Sequence, residues 1–295
     1  MSVLKKLTDG LQAINAGGAS WLKAALLSRR PAPRGHRSAD EELVILGNGP
    51  SLRHTLDHDM EALMSHSRLA VNFAANAPEF NSLRPDFYVL ADPHFFAGRD
   101  SDPNVARLWD NLGQADWHLT LYVPCGRAKQ VRSELKGKPV TVKGFNLTPA
   151  EGAKALVYPL YSAGLAMPRP RNVLIPSIMT GIREGFRRIY LTGADHTWSR
   201  TLGVDEKNHV VSVQPHFYKD NKSEKERVSS EYAGYHLHDI LKSLYIAFRS
   251  YHQIKRWADK QGVEIYNVSP GSFIDAFPRL KYVPKSGTDF VRPEF

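Results

Sequence analysis

Short apolar runs alternate with amphipathic stretches from Glu41 onward, and this alternation constrains the fold more than any other feature. Helical patterns lie near residues 55–65, 174–187 and 236–261. The runs that predict buried strands are ELVILG, LAVNFA, DFYVLAD, HLTLYV, VTVKGF, RIYLTGAD and VEIYNVS. Strands that alternate with helices predict an α/β fold with a mostly parallel sheet and helices on both faces. In such a sheet, ligands bind at the carboxyl ends of the strands.

The composition is that of a globular protein with an anionic partner. The chain has 295 residues, 42% of them hydrophobic, enough for one good core. A single Cys125 excludes an internal disulfide framework and a multi-cysteine metal site, and it favours the cytoplasm as the location. The formal net charge of +9 favours a nucleotide, an acidic glycan or an anionic membrane. Nucleic acid is the least favoured partner, because the basic residues are scattered and no reader motif is present.

Residues 1–38 predict a basic N-terminal extension and linker ahead of a single domain, residues 39–295. Four apolar side chains recur at helical spacing and three lysines flank them: Leu4, Leu7, Leu11, Ile14, and Lys5, Lys6, Lys23. A basic amphipathic helix of this kind lies on anionic membranes, so residues 1–30 predict peripheral contact with the inner face of the cytoplasmic membrane. Packing on the protein's own core or on a second subunit, as in a homo-oligomer, is an equal alternative. The apolar pieces are too short for a signal peptide or a transmembrane span.

The stretch VILGNGPSL predicts a strand that runs into a phosphate-binding turn. Gly47 and Gly49 form the turn, Pro50 opens a helix whose backbone N–H groups attract phosphate, and Ser51 adds a hydroxyl donor. The stretch is not a P-loop, because no Gly-Lys-Ser/Thr follows it, and Leu52 replaces the third glycine of a dinucleotide fingerprint. A turn without a ligand is the competing interpretation.

Polar side chains follow three further strand predictions. Asn72 ends the second run, Asp92 ends the third, and Gly193, Asp195 and His196 follow RIYLT. The carboxyl ends of parallel strands share one edge of a sheet, so these residues predict an active site there. Turn or helix capping is the alternative for either aspartate alone.

A polar segment, about residues 199–235, predicts a lid over that edge, with a solvated surface loop as the alternative. It contains His216 beside Tyr218. Histidine suits general-base work because its unperturbed pKa of roughly 6.5 lies near working pH.

Six motifs occur in an order and spacing that resemble the bacterial sialyltransferases of glycosyltransferase family forty-two. The resemblance covers roughly residues 42–282, and the motifs are VILGNGPSL, AVNF, FYVLADPHFF, GFRRIYLTGAD, PHFY and YNVSPGSFIDAFPRL. The chain is also similar to the wider group of hydroxymethylpterin pyrophosphokinase-like proteins, which includes flagellin-modifying proteins. The first resemblance implies a variant Rossmann-like fold of the sialyltransferase type, a GT-A-type variant, with a lid.

The resemblance also implies an activity and a set of site residues. The activity is inverting transfer of an acidic sugar, of the sialic acid or Kdo type, from a CMP-sugar donor to a glycan or glycolipid acceptor in bacterial surface polysaccharide or glycoconjugate synthesis, with no metal or other cofactor required. The candidate catalytic residues are His216, as the base, and Asp92, where the family has Asn. The candidate nucleotide-binding residues are Gly47, Asn48, Gly49, Ser51, Asn72, Gly193, Asp195, His196 and Tyr218.

Two other functions remain open from the sequence. In a magnesium-dependent pyrophosphokinase of the wider group, Asp92 and Asp195 would hold the metal ion. In a non-catalytic protein, the domain would bind a nucleotide and the N-terminal helix would dock on a membrane.

Overall fold

The sheet predicted from the apolar runs is present, and all seven of its strands are parallel. The structure is a computed structural model that describes residues 3–38, 40–211 and 234–286. The strands of the sheet are β1 (Glu42–Leu46), β2 (Ser67–Val71), β3 (Phe87–Val89), β4 (Leu119–Pro124), β5 (Val140–Phe145), β6 (Arg188–Thr192) and β9 (Glu264–Asn267). Two short strands, β7 (Gly203–Val204) and β8 (Val210–Val211), form a separate antiparallel pair.

The strand order is β5-β4-β3-β2-β1-β6-β9. The chain therefore adds strands in one direction from β1 to β5 and then crosses to the other side of β1 to place β6 and β9. Strand β1 leads to the helix Ser51–His58 on one face of the sheet, whereas Leu237–Lys260, the helix described after β6, packs on the other face. This is a topological switch point, where open α/β sheets form a crevice for ligands.

The helices are distributed over both faces of the sheet, which gives a Rossmann-like three-layer fold and confirms the predicted fold class. The helices are α1 (Val3–Leu27), α2 (Ser51–His58), α3 (Met60–Met64), α4 (Phe80–Leu83), α5 (His94–Ala97), α6 (Pro103–Gly113), α7 (Ala128–Glu134), α8 (Lys154–Ala163), α9 (Leu174–Glu184) and α10 (Leu237–Lys260). Short 3-10 helices lie at Asn72–Asn76 and Trp198–Arg200. The helix predicted near residues 55–65 is two helices, because the backbone at Asp59 leaves the helical region with φ −119° and ψ 18°.

Alternate residues of the strands build hydrophobic clusters on both faces of the sheet. Leu43 and Ile45 of β1 pack in a cluster with side chains of α8, α9 and α10. Val44 and Leu46 pack on the other face with side chains of α2 and α3. Burial on both faces explains why the strands are almost continuously apolar in sequence.

The segment that follows α1 is bonded to the edge of the domain. Ala32 N–H donates to the Gly144 carbonyl at 3.0 Å, and Gly35 N–H donates to the Arg183 carbonyl at 3.0 Å. Arg37 pairs with the buried Glu184 at 3.4 Å. Residues 28–38 therefore lie against the domain.

Candidate functional site

A cleft of about 660 Å³ opens at the carboxyl ends of β1, β2, β3 and β6, at the switch point of the sheet. The start of α9 and one side of α10, through Ser243 and Ala247, complete its walls. We call it the switch-point cleft. It is lined by eight residues predicted from the sequence: Gly47, Asn48, Gly49, Asn72, Asp92, Gly193, Asp195 and His196. Their proximity is what the parallel sheet predicts; their roles remain predictions.

The loops that follow β1 and β6 are hydrogen-bonded to each other beside this cleft. Gly47 N–H donates to the Thr192 carbonyl at 2.8 Å, and Gly49 N–H donates to the Gly193 carbonyl at 2.8 Å. A Cβ on Gly47 would overlap the Gly193 carbonyl oxygen, and a Cβ on Gly49 would overlap the Asp195 carboxylate. The close approach of the two loops therefore requires glycine at both positions, whether or not a phosphate is bound.

Asp195 occupies the place predicted for a phosphate at the start of α2. Its carboxylate accepts a hydrogen bond from Ser51 N–H at 3.2 Å and one from Ser51 Oγ at 2.7 Å. Burial raises the pKa of the Asp195 carboxyl, and the two bonds from Ser51 oppose that rise. The sequence expectation of free N–H groups at this turn needs correction, because a carboxylate of the chain itself satisfies Ser51. Ser51 supports Asp195 from below and does not line the cleft.

Two asparagines at the ends of β1 and β2 lie side by side in the cleft. Asn48 Nδ2 donates to the Val71 carbonyl at 3.2 Å. Asn72 adopts a left-handed backbone with φ 50°, and Ala75 N–H donates at 2.8 Å to the Tyr88 hydroxyl beneath it. The Asn72 Oδ1 atom is buried and has no hydrogen-bond partner within the described residues. A buried acceptor without a partner is rare in proteins.

Asp92 lies at the rim of the cleft and is exposed. Its Oδ1 accepts a hydrogen bond at 2.8 Å from the backbone N–H of His94, the first residue of α5. The structure therefore gives Asp92 a capping contact, and it leaves the second carboxylate oxygen of this residue on the rim.

A chain of hydrogen bonds fixes the tautomer of His196. The sequence analysis did not predict these bonds. The Tyr251 hydroxyl lies 2.9 Å from Asn172 Oδ1 and 2.6 Å from His196 Nε2. Asn172 Oδ1 also accepts the N–H of Leu174 at 3.0 Å, so this atom is a carbonyl oxygen and Tyr251 donates to it. The remaining proton then belongs to His196 Nε2, which donates to the Tyr251 oxygen.

The same chain leaves the other ring nitrogen of His196 as an acceptor. Burial lowers the pKa of His196 to about 3, so the ring is neutral at pH 7. Nε2 carries the proton, so Nδ1 carries a lone pair, and the described residues give it no partner. The ring packs against Trp198 with a centroid separation of 4.0 Å. His196 therefore lines the cleft as a fixed, uncharged hydrogen-bond acceptor.

Tyr251→Phe should lower the free energy of unfolding by about 1–3 kcal/mol, because it removes one hydroxyl that serves two buried polar groups. Urea denaturation at pH 7 measures this loss. Tyr245→Phe on the same helix is the matched control, since Tyr245 is 62% exposed. Equal stability of the two variants would contradict the hydrogen-bond chain.

Arg171 brings a positive charge to the cleft that the sequence analysis also missed. Its exposed side chain lines the cleft three residues before α9 begins at Leu174, and it has no ion pair within the described ranges. The N-terminus of an eleven-residue helix adds a partial positive charge at the same wall. The PRPRN sequence before the helical pattern was the available signal.

Parts of the predicted site lie outside the described residues. His216 and Tyr218 belong to residues 212–233, as does most of the predicted lid, of which residues 199–211 are described. Over residues 3–38, 40–211 and 234–286, no group of three or more His, Cys, Asp or Glu side chains has the arrangement of a metal site. None of the helices described in these ranges is long and apolar enough to span a membrane.

Comparison with known proteins adds one likeness in fold. No protein-family model and no curated protein matches this chain. Among solved structures, the chain is similar to the MAf glycosyltransferase from Magnetospirillum magneticum AMB-1, with 16% sequence identity and a TM-score of 0.50. The match covers 91% of this chain and 38% of that chain, so this chain spans well under half the length of the larger protein. The chain thus shares the fold of a glycosyltransferase.

Proposed function

We propose that this protein is an inverting glycosyltransferase that moves an acidic sugar, of the sialic acid or Kdo type, from a CMP-sugar donor to a glycan or glycolipid acceptor. One observation carries the proposal: a switch-point cleft where Arg171 and the start of α9 lie beside neutral hydrogen-bonding groups, and where the two carboxylates, Asp92 and Asp195, already accept hydrogen bonds from the chain. The likeness in fold to a glycosyltransferase supports it.

The charges of the cleft fit a nucleotide monophosphate leaving group. Arg171 and the partial positive charge at the N-terminus of α9 would face the phosphate, because both favour an anion. His196 Nδ1 is an acceptor, so it would pair with a hydroxyl or amino hydrogen of the ribose, the base or the sugar. In this arrangement the nucleotide lies against α9, and the turn at Gly47–Ser51 shapes the floor through its packing on Asp195.

The reaction requires a base and a leaving group. The acceptor hydroxyl loses its proton to His216, its oxygen forms a bond to the anomeric carbon, and the bond from that carbon to the CMP phosphate oxygen breaks. The electron pair of the broken bond leaves with CMP, and the configuration at the anomeric carbon inverts. The role of His216 rests on the sequence resemblance, since this residue lies outside the described part of the chain.

Arg171→Ala should weaken CMP binding by about 10- to 100-fold, because a hydrogen bond to a charged phosphate contributes about 1.5–3 kcal/mol. Thermal shift with CMP, CDP, UDP, GDP and ATP, each with magnesium and with EDTA, gives the preferred nucleotide, since a ligand of the folded state raises the melting temperature. We expect stabilisation by CMP that survives EDTA. Arg169→Ala is the matched control, because Arg169 pairs with Glu151 at 3.6 Å and does not line the cleft. A CMP affinity equal in the two variants would place the phosphate elsewhere.

A magnesium-dependent pyrophosphokinase is the second candidate, because Asp92 and Asp195 line the same cleft. Magnesium at phosphate sites is held by one or two carboxylates together with phosphate oxygens. Both carboxylates already accept hydrogen bonds from the chain, Asp92 from His94 and Asp195 from Ser51. If ATP together with magnesium is the one combination in the nucleotide panel that raises the melting temperature, the pyrophosphokinase replaces the CMP-sugar transferase as the proposed function.

A further inference from the structure

Helix α1 packs on the domain through a face of small residues. Ser20 Oγ donates to the Glu151 carbonyl at 2.9 Å, and Ala153 N–H donates to the Ala13 carbonyl at 2.9 Å. Gly17 and Ala24 are buried on the same face. A Cβ on Gly17 would overlap a leucine side chain of α8. This face attaches the helix together with Trp21, whose Nε1 donates to the Leu156 carbonyl at 2.9 Å, and the leucines of the helix take no part in these contacts.

The large apolar side chains of α1 lie on a different face, which is open to solvent. Leu7, Leu11, Ile14, Leu22 and Leu26 are each between 55% and 73% exposed. Their spacing of three, four or eight residues places them on one side of the helix, and Gly18 and Ala25 lie on that side as well. We call this surface the α1 leucine stripe. Soluble monomers rarely expose an apolar stripe of this length without a partner.

The positive charge of the N-terminal segment favours an anionic partner for the α1 leucine stripe. Six basic residues and one acidic residue, Asp9, lie between positions 3 and 34. Lys23, Arg29, Arg30 and Arg34 are exposed. A second copy of the chain would bring the same positive charge against this surface, which opposes association. Anionic phospholipid headgroups complement it, and long basic side chains can reach them while the leucines enter the acyl boundary.

We propose that the α1 leucine stripe docks this protein flat on an anionic phospholipid bilayer. The helix is held rigidly on α8, so docking places the whole domain at the membrane surface in one orientation. This inference does not depend on the reaction proposed for the switch-point cleft.

Vesicle sedimentation of the full chain tests the proposal. We expect binding to vesicles of phosphatidylcholine with phosphatidylglycerol, little binding to pure phosphatidylcholine, and weaker binding as salt increases. The double variant Leu11→Gln/Leu22→Gln should lower the partition coefficient by about tenfold or more, since both side chains leave water on docking. Both positions are exposed and Gln favours helix, so the fold is retained.

Two further variants separate the contributions of charge and helix face. Ala16→Gln alters an exposed position off the stripe and should bind like the wild type. Lys23→Glu/Arg30→Glu should reduce binding to anionic vesicles only. Absence of wild-type binding to anionic vesicles, equal binding by the leucine variant, or a dimer that dissociates in the leucine variant would each overturn the proposal, the last in favour of a second copy.

Discussion

Gly193→Ala should lower the free energy of unfolding by about 2–5 kcal/mol, from left-handed strain and overpacking together. Gly193 has φ +60°, a conformation that costs a residue with a side chain. A Cβ there would overlap the Gly47 carbonyl oxygen and lie 2.9 Å from the Cβ of Leu52. Urea denaturation of the protein without ligand measures the loss.

Gly126→Ala is the matched control for this substitution. Gly126 lies in the turn after β4, and a Cβ there meets nothing within 4 Å. The free energy of unfolding of Gly126→Ala should differ from that of the wild type by less than about 1 kcal/mol. A Gly193→Ala protein as stable as this control would show that the β1 and β6 loops do not approach each other as closely as described.

Urea denaturation of Gly47→Ala, whose added Cβ would overlap the Gly193 carbonyl oxygen, separates two explanations for the glycine-rich turn at Gly47–Ser51. A turn whose glycines serve only to admit a phosphate would tolerate small side chains in the free protein and lose ligand affinity. A turn whose glycines serve loop packing loses stability before any ligand is added. The bonds between Gly47, Gly49, Thr192 and Gly193 predict the second result.

His216→Ala should lower the rate of sugar transfer by about 100- to 10,000-fold, the range attributed to a positioned general base. The stabilisation of the protein by CMP should persist, because a base that contacts the acceptor hydroxyl is not required to hold the nucleotide. Release of CMP from a CMP-sugar in the presence of acceptor measures the rate, and thermal shift with CMP measures the binding.

His209→Ala is the control for this variant. His209 lies in the described part of the predicted lid, and its side chain is 72% exposed. The His209→Ala variant should transfer sugar at close to the wild-type rate. Equal loss of transfer and of CMP binding in His216→Ala would show that His216 holds the nucleotide and is not the base.

The sequence alone predicted the sheet, because buried parallel strands must be apolar on both faces and their turns must be polar. That requirement is visible in runs such as VILGNG and RIYLTGAD. It also predicted which residues would meet at the switch point, since the ends of parallel strands share one edge. Asn72, Asp92 and His196 line one cleft for this reason.

The tertiary structure decided how those residues are used. Ser51 and Asp195 bond across 144 residues of sequence, and Tyr251 reaches His196 across 55 and Asn172 across 79. Periodicity reports only on neighbours along a helix or strand, so it contains no signal for such pairs.

The two faces of α1 also illustrate which features the sequence predicts and which features only the tertiary structure determines. The helical spacing of its leucines is present in the sequence, and it equally predicts packing on the domain or on another surface. The structure assigns the small residues Gly17, Ser20 and Ala24 to the domain, because only they allow the helix to approach α8 closely. The amino-acid sequence thus determined the elements and the edge that holds the cleft. The packing of distant segments determined which hydrogen bonds are already made, which groups remain for a ligand, and which face of α1 remains in solvent.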